Sequence, residues 1–418
     1  MSSSFKNIKE LVNIENENTI NFTKFKNFFN NDSFNEDSVK DLHLKLKYKE
    51  NFYTFKYDKQ FLNINNINHL GLFRSVIFNN YDMVCFSPQK SLTCDDFFNI
   101  NSISNCVVEE FVEGTMINCF FDNNNKIWKI TTKSVVDAET SFSKDENITF
   151  KTMFEEAFAL HKLSWEMFNR KNVYSFVLQH PKNKIVCEIK QPTLYLVEVY
   201  YISNTLNNVK VKKVDYRSDT SFEELVSLVK CPKIYENDKN INIIIKKYAS
   251  NNTRYDILGV MIKCGMYRLK LRNPSYDYIH KLKGNNPKLE YQYYSLRKAG
   301  KVKEFLNHFP NYKECFHVLR HNLHIVTGTL WNNYMSCYVN KEAPLREYGY
   351  QYRPHMIALH SKYINEYIGT KKKISRAVVI DYINNLEIPR LMYLVNYNIV
   401  KKNIDTINIQ KERHLHSK

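Results

Sequence analysis

The sequence is poor in glycine, with nine among 418 residues, and has no Gly-rich loop of the Walker or dinucleotide-binding type. Its nine cysteines are scattered, odd in number and without a CxxC pair, which predicts reduced thiols rather than a disulfide framework. No apolar run approaches transmembrane length, and the first residues lack the apolar core of a signal peptide. We therefore expect a soluble, cytoplasmic protein with no membrane partner.

Acidic residues are also few relative to basic ones. The 43 Asp and Glu residues face 60 Lys and Arg residues, which gives a formal net charge of +17. Such an excess suits a polyanionic partner, nucleic acid before a membrane surface. A genome rich in A and T would produce the same composition, because Lys, Asn, Ile and Tyr codons are AT-rich. Charge alone therefore supports nucleic-acid binding only in part.

The most informative stretch is 107–137, whose apolar residues at strand spacing predict a β-meander. Asp122 to Asn125 supply turn-forming residues between two of its strands. Glu113 and Gly114 lie inside the first predicted strand. A glycine at such a position indicates a kink, a bulge or the close approach of a ligand to the backbone.

Four further segments accompany this stretch, and the first of them runs upstream from Arg74 to Lys90. Arg74 opens a predicted strand in LFRSVIF, and Lys90 lies in FSPQKS, ahead of a Phe-rich turn. Downstream come HPKNKIV at 180–186, LGVMIK at 258–263 and YRLKLRNPSY at 267–276.

In order and approximate spacing, the five segments resemble the motifs of the phage-type RNA ligases, which belong to the covalent nucleotidyltransferase superfamily. The RNA-ligase-like proteins of large cytoplasmic DNA viruses and related linear elements look similar too. The resemblance covers residues 70–276, about half of the chain. It implies an antiparallel-sheet core in which a lysine amine attacks the α-phosphorus of ATP, with magnesium as the usual metal.

Several reactive residues of that family pattern are replaced. Phe111 stands at the position of the nucleophilic lysine, although Glu113 and Gly114 match the rest of the first motif. Val177 and Leu258 stand where the third and fourth motifs carry acids. The resemblance therefore implies a degenerate catalytic centre that has lost its nucleophile and two carboxylates.

The positive residues of the pattern survive. The resemblance implies that nucleotide or phosphate groups bind to Arg74, Lys90, Glu113, Gly114, Lys133, Arg268 and Lys270. No catalytic residue is assigned. Lys90 is open to two interpretations, a relocated nucleophile or a lysine that contacts phosphate or solvent. ATP and magnesium are implied only if activity survives.

Periodicity predicts an α+β fold with an antiparallel, ligase-like core followed by an all-helical C-terminal domain. Residues 1–60 hold N-terminal strands of the core, among them a strand pair around 42–55, and 61–274 form the RNA-ligase-like domain. Within that domain 150–170 predict a helix, 219–231 a second helix, and 185–187 part of a strand. Residues 275–418 predict helices, and the resemblance implies a tRNA- or RNA-binding role for them.

Histidines offer weaker candidates. His317, His321 and His324 share one face of a predicted helix, yet no acid or cysteine completes a metal set, so no metal site is predicted. His161 is interpreted as a core histidine with satisfied hydrogen bonds. His355 and His360 lie five residues apart, a spacing on which helical side chains diverge.

Three functions follow as hypotheses. The first is a catalytically degenerate ligase-like protein that binds RNA, with tRNA as the best guess, in a protective or immunity role against RNA damage in a viral or linear-plasmid system. The second is an active ATP-dependent RNA ligase with Lys90 as its nucleophile. The third is a non-catalytic scaffold or replication accessory.

Overall fold

A computed structural model describes residues 7–397 apart from 32–33, 142–147, 206–207, 236–239, 285 and 287. Its strands are β1 (Asn13–Asn16), β2 (Thr19–Asn21), β3 (Leu44–Lys49), β4 (Phe52–Tyr57), β5 (Val76–Asn79), β6 (Asp82–Phe86), β7 (Val107–Glu110), β8 (Thr115–Asp122), β9 (Ile127–Thr132), β10 (Asn172–Gln179), β11 (Thr193–Thr205), β12 (Asn208–Val214), β13 (Gly259–Cys264) and β14 (Tyr267–Arg272).

The α-helices are α1 (Ile8–Leu11), α2 (Thr23–Phe29), α3 (Glu36–Asp41), α4 (Ile67–Leu70), α5 (Cys94–Phe98), α6 (Phe150–Leu160), α7 (Glu223–Leu228), α8 (Ile241–Tyr248), α9 (Pro274–Lys283), α10 (Leu289–Lys298), α11 (Val302–His308), α12 (Lys313–Tyr334), α13 (Arg353–Lys362) and α14 (Arg376–Asn385). Residues 388–397 are also helical. Among the described helices, none is long and apolar enough to cross a lipid bilayer.

The strands form three antiparallel sheets. The largest has the order β1-β2-β12-β11-β10-β8-β9, the second β14-β13-β7 and the third β3-β4-β5-β6. The α+β class of the protein, its antiparallel sheets and its helical C-terminal region agree with the sequence prediction. The predicted strand pair around 42–55 is the β3–β4 hairpin, in which Leu44 pairs with Tyr57.

Aromatic side chains fill the core between the four-stranded sheet and the largest sheet. Phe25 of α2 packs on Phe55 with ring centroids 5.1 Å apart and on Phe73 at 4.8 Å. On the other side, Phe154 of α6 packs against Phe176 of β10 at 5.9 Å. The central strands are therefore covered by apolar contacts, and the functional side chains described below lie in loops, beside strand ends and on β14.

Contacts divide the chain into two compact units, Met1–Lys281 and Leu282–Lys418. The division falls within α9, which begins at Pro274, the residue where the sequence pattern changes from strands to helices.

Three details of the prediction were wrong. First, the strand predicted to contain Glu113 and Gly114 ends at Glu110, and β7 pairs with β13 instead of joining a meander with β8 and β9. The Phe111 N–H still donates to the Gly259 carbonyl, 3.3 Å away, before the chain crosses to the largest sheet at Thr115. Residues 111–114 are thus a connection between two sheets.

Second, the helix predicted for 150–170 ends at Leu160. Lys162 adopts a left-handed conformation with φ of 55°, and the Leu163 N–H turns back to the Phe158 carbonyl. Trp165 nevertheless packs on Phe158, with centroids 4.4 Å apart, so the aromatic pattern reported real packing but not a continuous helix.

Third, residues 185–187 are not a strand. The N–H groups of Val186 and Cys187 donate to the Glu113 carboxylate at 3.1 to 3.2 Å, which leaves them unavailable for a ladder. An apolar run can therefore be held by a side-chain acceptor in place of a neighbouring strand.

Candidate functional site

The five cations singled out by the sequence come from separate segments of the first unit. Arg74 lies two residues before β5, Lys90 lies in the loop after β6, and Lys133 directly follows β9. Arg268 and Lys270 belong to β14. Because strand side chains alternate between faces, these last two share one face.

Backbone hydrogen bonds hold the Lys90 loop against β14. The Lys90 N–H donates to the Gly71 carbonyl at 2.9 Å, and the Leu92 N–H donates to the Arg268 carbonyl at 2.8 Å. The Arg74 guanidinium in turn donates to the Pro88 carbonyl at 3.4 Å. The loop therefore fixes Arg74, Lys90 and Arg268 near one another.

Electrostatic effects show that all five cations share one region. Burial, followed by the charge of Arg268, lowers the pKa of Arg74 to about 10. Burial and then Arg74 and Arg268 lower the pKa of Lys90. For both Lys133 and Lys270 burial is the largest cause and Arg74 and Lys90 add to it, and each pKa falls to about 8. We call Arg74, Lys90, Lys133, Arg268 and Lys270 the cation cluster.

The positive charge of the cation cluster is not neutralised locally. Within the described residues, none of its five members lies within 4.0 Å of a carboxylate oxygen, whereas many other lysines of the chain do. Arg268 is buried, and its Nε has no hydrogen-bond partner among these residues. The charge of Arg268 helps to lower the pKa of the Glu198 carboxyl, but that carboxylate is paired with Lys213 and Lys263. The cluster is suited to an anionic ligand.

Three cations that the sequence reasoning missed adjoin the cluster, and the first of them, Lys56, lowers the pKa of Lys133. Arg272 lowers the pKa of Lys90 and Lys270, and its guanidinium pairs with Asp277 at 2.8 Å. Lys59 acts on Lys90 and Lys133. Strand alternation from Arg268 through Lys270 could have indicated Arg272. Nothing local to residue 59 indicates its position.

Phe111 borders this region. Its half-buried ring lies 5.8 Å from the guanidinium carbon of Arg272, within the range of a cation–π contact. Phe111 therefore lies beside a cation whose charge reaches Lys90 and Lys270.

The residues at the two positions where the resemblance implies acids are apolar and buried. Val177 packs with Val112 and Val197 in a small apolar cluster, and Leu258 is also buried. Neither side chain can bind a metal or orient a ribose.

Glu113 and Gly114 have structural explanations. The Glu113 carboxylate accepts the Val186 and Cys187 N–H groups, and it also interacts with the Tyr276 hydroxyl, whose pKa it raises after the larger effect of burial. A Cβ on Gly114, which has φ of 150°, would lie 2.5 Å from the Leu178 carbonyl oxygen. The close approach at this glycine is therefore by a neighbouring strand.

The cation cluster fits the phosphates of a nucleotide but not a magnesium ion. Mg²⁺ prefers carboxylate and carbonyl oxygens, and the two positions where the resemblance implies carboxylates hold Val177 and Leu258. Among the described residues, no group of three or more His, Cys, Asp or Glu side chains could hold a metal. We derive no metal-dependent step.

The candidate histidines either make hydrogen-bond contacts within the protein or are exposed. His161 contacts the Leu228 carbonyl through Nδ1 at 2.7 Å and accepts the Leu194 N–H through Nε2 at 3.2 Å, consistent with a structural role. His355 contacts the Tyr382 hydroxyl at 2.8 Å. The three histidines of α12 are exposed, at positions His317, His321 and His324.

Comparison with known proteins does not assign a family: no family model matches the chain, and no curated protein is significantly similar to it.

Proposed function

We propose that this protein is a catalytically degenerate RNA-ligase-like protein that binds RNA through the cation cluster. The observation that carries the proposal is the convergence of Arg74, Lys90, Lys133, Arg268 and Lys270 without a carboxylate at ion-pair distance in the described chain. Such a cluster is stabilised when phosphate oxygens replace the missing counter-charges.

RNA is favoured over an isolated phosphate by the extent of positive charge. Lys59 and Arg272 extend the cluster, and the whole chain carries a formal charge of +17. Successive phosphates of a strand can use cations that a single phosphate cannot reach. The choice of tRNA, and a protective or immunity role in a viral or linear-plasmid system, come from the resemblance to RNA ligases.

The proposed loss of transfer chemistry is supported by the residues at three motif positions. A benzyl ring at Phe111 has no nucleophile, and Val177 and Leu258 remove two carboxylates. Binding by the remaining cations requires none of these groups.

An active ligase is the second candidate, because one observation favours it. Burial and then Arg74 and Arg268 lower the pKa of Lys90, which increases the neutral fraction of its amine. A neutral amine next to a phosphate site is what a lysine nucleophile needs.

RNA binding is tested with the double variant Lys90→Ala/Lys270→Ala. We expect about a tenfold or greater loss of affinity for tRNA, and a salt dependence shallower by about 0.7 to 0.9 per lost phosphate contact. The matched control is Lys24→Ala/Lys171→Ala, which removes the same charge from two exposed lysines. Equal losses in both variants would reduce the effect to net charge, and wild-type protein without measurable affinity at moderate salt would contradict the proposal.

Covalent chemistry is tested by incubating the protein with α-labelled ATP and magnesium before denaturation. We expect no protein-bound label. A label that disappears in Lys90→Ala and persists in Lys24→Ala would establish the ligase alternative instead.

A further inference from the structure

A pocket in the helical unit carries features that the cation cluster does not explain. It has a volume of about 470 Å³ and lies between the ends of α12 and α13 and the segment that leads into α14. Its walls include Trp331, Tyr338, His360, Tyr363, Lys373 and Arg376.

Three aromatic rings of this pocket are nearly parallel, whereas the Tyr334 ring is tilted by 35° from Tyr338 and by 51° from His360. His360 stacks on Tyr338 with ring centroids 3.9 Å apart and planes 17° apart, and the Tyr363 plane is tilted by 18° from His360 at 6.1 Å. The Nδ1 atom of His360 is buried and has no hydrogen-bond partner in the part of the chain described. The pocket thus combines flat apolar faces with an unused polar atom.

Both helices that enclose the pocket change their winding there. After Tyr334, helix α12 continues as a π-helix over Met335–Val339, and after Lys362, helix α13 continues as one over Tyr363–Tyr367. These wide turns supply Tyr338 and Tyr363 to the wall. A π-helical turn is rare and is frequently found at functional sites, and here two such turns border one cavity.

The charge of the pocket has one sign. Lys373 and Arg376 are exposed, and within the described residues neither lies within 4.0 Å of a carboxylate oxygen; the wall itself has no acidic residue. A second pocket, of about 440 Å³ beside α6, is also aromatic, but there Lys129 pairs with Asp137 at 2.9 Å. Only the pocket of the helical unit, of these two, offers rings together with unpaired cations.

We propose that the pocket of the helical unit binds an unpaired nucleotide, with its base against the rings of Tyr338, His360 and Tyr363 and its phosphate on Lys373 and Arg376. Bases stack on aromatic side chains with little dependence on sequence, and basic groups beside the rings bind the backbone. The nucleotide is part of an RNA strand or a free mononucleotide, since both present the same chemistry. In the first case the pocket adds a second contact to the proposed RNA binding.

The test is calorimetric titration of the full chain with AMP and with a single-stranded RNA. Tyr338→Leu and Arg376→Ala remove a stacking face and a phosphate contact, and Tyr350→Leu and Lys303→Ala are controls at exposed positions of the same unit. We expect the pocket variants to bind AMP about tenfold more weakly than the wild type, and the control variants to bind it as tightly as the wild type. The circular dichroism of all variants should be unchanged.

The outcomes separate the two proposals. If the pocket variants weaken the binding of both AMP and RNA, the ligand of the pocket is a nucleotide of an RNA strand. If they weaken the binding of AMP alone, the ligand is a free nucleotide. Absence of AMP binding, or AMP binding that the pocket variants leave unchanged, overturns the pocket proposal. If RNA binding is lost only in Lys90→Ala/Lys270→Ala, the proposed function stands although the pocket proposal fails. If the wild type does not bind RNA but AMP binding is lost only in the pocket variants, the pocket proposal stands although the proposed function fails.

Discussion

Two lysines of the cation cluster differ from ordinary surface lysines in their protonation. Burial and neighbouring cations, among them Arg74 and Lys90, lower the pKa of both Lys133 and Lys270 to about 8. Lys133 also lies 4.9 Å from the centre of the Tyr57 ring, which supplies a further partner for its charged form. These residues consequently lose charge at pH values where most lysines keep it.

RNA affinity should therefore depend on pH. In the free protein the lowered pKa disfavours the charged lysines, and a bound phosphate favours them, so binding takes up protons near their pKa. We expect affinity to fall by about tenfold between roughly pH 7 and pH 9 at constant ionic strength. Dissociation constants measured across this range test the effect.

The variant Lys270→Arg provides the control, because a guanidinium stays charged in this range. Its loss of affinity with rising pH should be smaller than that of the wild type. Identical pH profiles for the two proteins would exclude Lys270 as a titrating phosphate contact.

Between elements, a buried ion-pair network joins two sheets. Lys263 of β13 contacts Glu109 of β7 and also Glu198 of β11, at 2.8 Å, and Glu198 contacts Lys213 of β12 at 3.2 Å. Although burial raises the pKa of Glu198, the lysines and Arg268 lower it to about 2. The network thus links the three-stranded sheet, which carries Arg268, to the largest sheet.

Removing the central cation should be costly. Lys263→Met leaves Glu109 and Glu198 buried without their shared partner, and we expect a loss of about 3–5 kcal/mol in the free energy of unfolding. Lys210→Met removes a half-exposed cation that pairs with Glu15, and should cost less than about 1 kcal/mol. Urea denaturation compares the two, and similar losses would show that burial does not set the cost.

Elements with local signals were predictable, and those set by distant partners were not. The β3–β4 hairpin follows alternation in the sequence, and the positive charges of β14 follow from Arg268 and Lys270 directly. The true end of β7 could not be read in this way, because its partner β13 lies about 150 residues later in the chain. For the same reason, the use of Glu113 as an acceptor for 186–187 was not foreseen.

The candidate sites show the same limit. A shared face of β14 was accessible from sequence, but the proximity of Lys133 depends on the packing of three sheets. The aromatic pocket was missed because its rings come from two helices and each set reads as ordinary helical spacing.

At the scale of the whole molecule, the two compact units each have a core of their own. The first unit is organised by the three sheets, and in the second Phe305 packs on Phe309 and Phe316 with centroids 4.8 and 5.2 Å apart. Separate cores allow separate unfolding transitions. Because the cation cluster lies in one unit and the aromatic pocket in the other, ligands and substitutions can be assigned to a unit by the transition they move.

Scanning calorimetry of the full chain should therefore show two transitions. Lys263→Met should lower only the transition of the first unit, since the network it breaks lies within Met1–Lys281. AMP should raise only the transition temperature of the second unit. When the free AMP concentration is about 100 times Kd, the free energy of unfolding of that unit should increase by about 2.7 kcal/mol. A single transition that shifts under both changes would show that the two units unfold together. If AMP instead shifts only the transition of the first unit, the nucleotide binds at the cation cluster.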